Sequence, residues 1–242
     1  MKTSMNTNLI LAVLIVLLSA GCSAPAAMPA PTSEPPTAPP VEPTAEPTVA
    51  DIAGNVQSES WKTYTNSAFG ISFQYPSAWF GPEEYIVDQR IRVEVGSDIV
   101  YPYGTDRGEQ IYELKNSYYV QIEYVKDGQI QAWDEMYQSL VPLQDGESIS
   151  GPRSLIIRVR QVTIGRFDGI EYIATLSETA QTEIGYQREI LLYDQQSNIL
   201  KIVGLPNMVE MTDKSLWREA YQTVDEANLV LFYHLLESIT IE

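Results

Sequence analysis

The chain of 242 residues contains one cysteine, Cys22, and one histidine, His234. A lone cysteine excludes an intramolecular disulfide and any zinc site built from several thiolates. A lone histidine means that a Ser-His-Asp arrangement, or an imidazole metal ligand, has to use His234. Basic residues are scarce as well: 15 Lys and Arg stand against 32 Asp and Glu, a formal net charge of −17. Setting aside Lys2, Glu34, Glu42, Glu46 and Asp51 leaves 28 acidic and 14 basic residues over 52–242, a net −14. That field repels nucleic acid and anionic head groups, and no basic footprint offsets it, so nucleic acid is not an expected partner. No apolar run reaches the roughly 20 residues of a spanning helix. Calcium-loop, HExxH, phosphate-loop and Rossmann spacings are also missing, and no cofactor or metal is expected.

What is present begins with an export signal. Lys2 supplies a minimal positive region, and Leu9 to Leu18 is an unbroken apolar run of signal-peptide length. Ser19-Ala20-Gly21-Cys22 ends it. Small residues before a cysteine resemble the lipobox of bacterial lipoproteins; the Leu usual three places before the cysteine is Ser19 here, with Leu18 one place earlier. The resemblance implies removal of residues 1–21 and a lipid on Cys22. Two or more acyl chains anchor stably where one does not. The expected location is therefore extracytoplasmic, on a bacterial membrane. Nine of the fifteen prolines then fall within 24–50, with Glu-Pro-Thr at 42–44 and again at 46–48. Proline fixes φ and removes donors, so 24–50 reads as extended, with a reach on the order of 80 Å, within a linker spanning 22–55.

Residues 56–242 read as one globular domain. Chains of this size bury roughly 70% of their unfolded surface, enough for a core without disulfides. Ile71-Ser72-Phe73-Gln74-Tyr75, Ile91-Arg92-Val93-Glu94-Val95 and Val120-Gln121-Ile122-Glu123-Tyr124 alternate apolar and polar, the pattern of antiparallel strands with one wet face. Ile130, Trp133, Tyr137 and Leu140 recur at helical spacing over 129–141. The stretch 154–204 is strand-rich. A phase change predicts a bulge or bend near Gln161, Phe167-Asp168-Gly169-Ile170 reads as a hairpin turn, and strands near 184–193 and 198–204 join across 194–197. A helix is expected near 225–238 with Asp225 as N-cap. Segment 207–224 stays open, although Leu216, Trp217, Ala220 and Tyr221 suit a short helix.

These elements give an α+β class, mainly antiparallel sheet flanked by helices. Tyr64-Thr65, then Phe69-Gly70-Ile71-Ser72-Phe73-Gln74-Tyr75-Pro76 and Trp79, together with Asp168-Gly169 and a closing Phe232-Tyr233-His234-Leu235-Leu236-Glu237-Ser238-Ile239, resemble PsbP-like domains over about 61–242. That resemblance implies an α/β/α sandwich and carries no metal ligand with it.

Catalytic candidates are thin. His234 lies away from the apolar stripe of its helix and reads as an exposed or half-buried residue. Ser148 in Gly146-Glu147-Ser148-Ile149-Ser150-Gly151 lacks the glycine a nucleophile elbow needs two places on. The adjacent acids Glu83-Glu84, Asp134-Glu135 and Asp225-Glu226 suit solvated faces or helix starts better than a carboxylate pair across a cleft. The arginines Arg153, Arg158, Arg160, Arg166 and Arg188 concentrate positive charge in an acidic domain, with Arg158 and Arg160 expected on one strand face. Cross-strand pairing with Glu171 and Glu189 accounts for them; alternatively Arg158, Arg160, Arg166 and Arg188 form a docking patch for an anionic ligand or acidic partner. The leading functional expectation is a monomeric, non-catalytic binding or assembly module whose partner is an envelope protein or glycan. A small-ligand receptor and a hydrolase with an unrecognised site are the alternatives.

Overall fold

The computed structural model describes residues 60–105, 111–176 and 185–242. The signal at 1–21, the linker at 22–55 and Cys22 lie outside the described residues. Where apolar and polar residues alternate, the chain forms strands, and every pairing among the described residues is antiparallel. Strands β1 (Trp61–Asn66) and β2 (Ile71–Pro76) make a hairpin, and the chain end adds β11 (Thr240–Ile241) beside β2. The larger sheet contains β3 (Phe80–Val87), β4 (Arg90–Gly96), β5 (Ser117–Val125), β6 (Ser148–Ser150), β7 (Ser154–Ile164), β8 (Phe167–Leu176), β9 (Tyr186–Tyr193) and β10 (Ile199–Asn207). Its spatial order is β3-β4-β5-β10-β9-β8-β7-β6.

The period of two sorts the side chains of this sheet into two cores. On one face Ile91, Val93, Val95, Tyr118, Val120, Ile122, Tyr124, Ile190, Leu192, Leu200 and Ile202 pack with Phe73 and Tyr75 of β2 and with the long helix α2 (Trp217–Glu237). On the other, Val125, Ile156, Ile170, Tyr172, Leu191 and Ile199 pack with Leu140 of α1 (Gln131–Leu140). One helix therefore covers each face of a mostly antiparallel sheet, an α+β arrangement dominated by strand. The helix on the second face reaches only part of it, and the end near β3, β4 and the start of β5 is left for a loop to cover.

Several local expectations change. The turn between β7 and β8 is Gly165-Arg166, because Ile164 pairs with Phe167 and Gly165 takes a φ of +56°. Gly169 instead lies inside β8, where a Cβ would overlap the backbone of Leu191. The bulge in β7 falls between Arg158 and Arg160, at Val159, two residues before Gln161. One extra residue reverses which side chains face which core. Arg158 consequently pairs with Tyr172 on the α1 face, whereas Arg160 pairs with Glu171 on the α2 face. The expectation that they share a face is corrected.

The closing helix starts at Trp217, not near Asp225. A 3-10 turn (Lys214–Leu216) leads into it, and Asp213 accepts from the Ser215 amide at 2.8 Å. Asp225 is thus an interior helical residue with no exposed surface, rather than an exposed cap.

Candidate functional site

The chain leaves β4 at Gly96 and returns to β5 at Ser117 by a long connection, whose described residues 97–105 and 111–116 lie over the open part of the sheet's second face. Asp98, 2% exposed, holds the two limbs of this loop together. Its Oδ1 accepts from the Ile99 amide (2.7 Å), and its Oδ2 from the amides of Glu113 (3.0 Å) and Leu114 (2.9 Å). The Tyr101 hydroxyl donates to the Ile111 carbonyl (2.6 Å) and accepts from the Ile111 amide (2.8 Å). The Asp98 bonds satisfy a buried carboxylate, and together with the Tyr101–Ile111 pair they join residues 98–101 to 111–114.

Beneath the loop is a cleft of about 340 Å³. Glu83 and Tyr85 of β3, Arg92 and Glu94 of β4, and Tyr119 and Gln121 of β5 contribute to it, with Tyr101, Tyr103 and Tyr112 from the loop. Strand periodicity brings the floor residues together. Glu83 is paired with Glu94, and Tyr85 with Arg92, directly across β3 and β4, while Glu94 is paired with Gln121 across β4 and β5. Tyr119 lies across Gly96, where a Cβ would overlap its ring, and its hydroxyl donates to the Ile99 carbonyl at 3.1 Å. Burial, and then the charge of Asp98, push the Tyr119 phenol well above its ordinary value, so it remains a donor.

The rings form two groups. Tyr85 and Tyr103 stack at 4.1 Å between centroids, and the Arg92 guanidinium sits 5.1 Å over the Tyr103 ring. Tyr112 makes edge contacts with Tyr101 at 5.7 Å and Tyr119 at 6.1 Å. On the floor, Gln121 Nε2 donates to Glu94 Oε2 (2.7 Å), and Arg92 approaches the same oxygen at 3.7 Å. The result is a preformed site with aromatic walls and a floor of planar hydrogen-bonding groups.

A second polar assembly lies on the opposite face and is closed. Glu171 and Asp225 have no side-chain exposure, and Arg188, at 6%, spans them. Asp225 Oδ2 accepts from Arg188 Nη2 (2.6 Å), Arg188 Nε (3.0 Å) and the Tyr186 hydroxyl (3.1 Å); its Oδ1 accepts from the Tyr118 hydroxyl (3.0 Å). Glu171 accepts from Arg188 Nη1, from Tyr233 (2.7 Å) and from Arg160 Nε (2.7 Å). Burial alone would lower the Arg188 pKa, but its contacts with Asp225, and the proximity of Tyr233 and Glu171, hold it above the ordinary value. Burial and the Asp225 carboxylate likewise raise Tyr118 and Tyr186. Tyr118 can reach Asp225 because residue 204 beneath it is glycine, and any Cβ there would overlap its hydroxyl. Two cations and two anions neutralise one another and fasten α2 to the sheet.

The sequence candidates separate accordingly. Arg158 bonds to the carbonyls of Leu140 (3.2 Å), Val141 (3.2 Å) and Leu143 (2.6 Å), closing the C-terminus of α1, and to Asp145 at 3.1 Å. Arg160 pairs with Glu171 and lies 4.6 Å over the Tyr233 ring. Arg166 bonds to Asp194 (2.9 Å) and to the Ile241 carbonyl (3.3 Å), and Arg188 is buried. These four arginines do not form one surface. Glu189, the other acid expected to pair across strands, takes the Tyr172 hydroxyl (2.5 Å) and Lys201 (2.6 Å).

His234 stacks on Trp61 at 3.8 Å, with Nε2 3.4 Å from Gln74 Oε1. It belongs to the face covered by α2, away from the cleft. Ser148 is exposed on the short strand β6, with no strand-to-helix turn around it. Among the described residues, no group of three or more His, Cys, Asp or Glu converges as metal ligands. No described helix is long and apolar enough to cross a membrane.

None of the cleft tyrosines Tyr85, Tyr101, Tyr103, Tyr112 and Tyr119 stands out in the sequence as a site residue; Glu83 does so only as one of two adjacent acids, and Arg92, Glu94 and Gln121 only as members of alternating strands. A signal for the tyrosines exists: five of the fifteen fall between 101 and 119. No protein-family model matches the chain, and the search of curated proteins finds no match either.

Proposed function

We propose that this chain is a non-catalytic binding module held on the outer side of a bacterial membrane through Cys22, with the tyrosine cleft as its ligand site. The cleft carries this reading. Its walls are fixed before any ligand arrives, by Asp98 on both limbs of the loop and by Tyr101 on Ile111. Preformed concave sites with aromatic walls and a few convergent polar groups bind ligands without reorganisation. A volume of about 340 Å³ lies at the small end of the ~300–1,000 Å³ typical of ligand sites, which favours a small molecule or a short polymer segment over a folded protein partner. The linker at 22–55 gives the site reach from the bilayer. The PsbP-like motifs over 61–242 support reading the helix-covered sheet as that family's α/β/α sandwich.

Two measurements test the proposal on the full chain. Labelled fatty acid enters the wild-type protein in a bacterial host and fails to enter Cys22→Ser; equal labelling of both removes the anchor. A ligand library raises the melting temperature of the wild type, as expected when a ligand binds only the folded state. The Tyr103→Ala variant loses that rise. Ligand-induced shifts unchanged in Tyr103→Ala remove the cleft as the binding site.

A further inference from the structure

We infer that the tyrosine cleft binds a neutral saccharide, an assignment that rests on the cleft being the module's ligand site. A pyranose ring has a face of C–H groups and a rim of hydroxyls, each both donor and acceptor. The cleft offers the complement of both. Tyr103 is 57% exposed and Tyr85 39% exposed, and their stacked rings present apolar surface at the mouth, stiffened by the Arg92 guanidinium over Tyr103. Such rings bury large apolar area at little conformational cost.

The floor is polar and planar. Glu94 accepts from the Gln121 amide, which carries a donor and an acceptor, and Arg92 lies alongside. Carboxylate, amide and guanidinium groups engage neighbouring hydroxyls in pairs of nearly parallel bonds. A purely apolar ligand would strip water from this charged floor without adding any hydrogen bond to it, which is unfavourable.

Charge narrows the saccharide further. Glu83 and Glu94 outnumber Arg92 in the lining, and the chain around them is strongly acidic. Uronic, sialic and phosphorylated sugars meet that field with the wrong sign. The volume accommodates a short segment of a glycan, with the rest of the polymer outside.

Titration calorimetry on the full chain decides the matter, with neutral linear hexasaccharides of glucose, mannose and N-acetylglucosamine as probes and hexagalacturonate as the anionic control. At least one neutral probe binds, and hexagalacturonate does not. Tyr103→Ala weakens the neutral probe roughly tenfold or more. Tyr103→Phe, which keeps the ring, retains the affinity to within about twofold, and Arg166→Ala on the opposite face leaves it unchanged. Circular dichroism verifies that the variants fold. Neutral-probe binding that survives Tyr103→Ala overturns the inference. If no neutral probe binds, but a peptide or amine from the thermal-shift library does and is lost in Tyr103→Ala, the saccharide assignment falls and the binding module stands. If no ligand of any class depends on Tyr103, both fall.

Discussion

Replacing Asp225 with alanine tests whether the buried ion cluster fastens α2 to the sheet. Asp225 Oδ2 takes both Nε and Nη2 of Arg188 and the hydroxyl of Tyr186, and its Oδ1 takes that of Tyr118. Alanine leaves a guanidinium only 6% exposed with Glu171 as its remaining partner inside the cluster, and strands two hydroxyls. Breaking a buried pair from one side costs about 3–5 kcal/mol, because the surviving charge stays desolvated. We therefore expect Asp225→Ala to lower the unfolding free energy by about 4 kcal/mol, with a melting point lower by on the order of 10 °C. Asp225→Asn keeps the shape and one acceptor and costs less, about 2 kcal/mol. Adding Arg188→Met to Asp225→Ala removes the stranded cation, so the double variant is more stable than the sum of the single effects by at least about 1 kcal/mol. Urea unfolding reads all of these as midpoint shifts at constant slope. A loss below about 1 kcal/mol for Asp225→Ala, or strict additivity with Arg188→Met, refutes the clamp.

Gly204→Ala puts a methyl against the Tyr118 hydroxyl and displaces it from Asp225, and the urea midpoint should fall by the equivalent of about 2–3 kcal/mol. Acid reveals the β9–β10 loop. Burial alone would raise the Asp194 pKa, but bonds from the Asn198 side chain and amide, Arg166 and Gln196 together lower it below its ordinary 3.8. The folded value lies below the unfolded one, so this contribution is complete above the ordinary aspartate range and disappears as pH falls through the depressed value. Arg166→Ala shrinks it, and urea midpoints measured from neutral pH down into the acid range should converge with wild type at the lowest pH. Alkali acts in the opposite sense: burial and Glu171 push Tyr233 from 10.0 up to about 12. Its neutral phenol supports the fold fully below pH 10, and that support fades as pH rises from 10 towards 12. Phenolate absorbance of the folded chain should therefore lag behind that of the urea-unfolded chain across this range.

The alternation that makes strands was legible because it depends only on neighbours. Ile71 to Tyr75, Ile91 to Val95 and Val120 to Tyr124 each lie inside an observed strand, and the α1 pattern of Trp133, Tyr137 and Leu140 packs as its spacing requires. Features that depend on distant partners were not legible. The bulge at Val159 reverses the facing of every later residue in β7, and it is fixed by pairing with β8. Asp225 resembled a helix cap because an acid before an apolar stripe usually is one. It is interior because Arg188, 37 residues earlier, neutralises it. Gly169 resembled a turn for the same local reason, yet it is glycine because the backbone of Leu191 passes too close for a side chain.

The cleft was hidden for a further reason: its lining comes from four adjacent strands, β3, β4, β5 and β10, and a long loop, and no short spacing encodes it. Arg158 and Arg160 are neighbouring cations in sequence, yet one closes a helix and the other neutralises a buried carboxylate. The tyrosines carry no such local signal, because aromatic residues in a strand-rich chain are expected to be core. Tyr118 and Tyr119 show how that expectation divides. Adjacent in β5, they face opposite sides of the sheet, Tyr118 into the α2 core beneath Asp225 and Tyr119 into the cleft across Gly96. Each ring lies over a glycine of a neighbouring strand, Gly204 of β10 and Gly96 of β4 respectively. One strand thereby ties the ion cluster that secures α2 to the floor of the cleft, so Gly204→Ala, which displaces Tyr118 of β5, should also weaken the ligand binding proposed for the cleft on the far side of the sheet, as read by titration calorimetry.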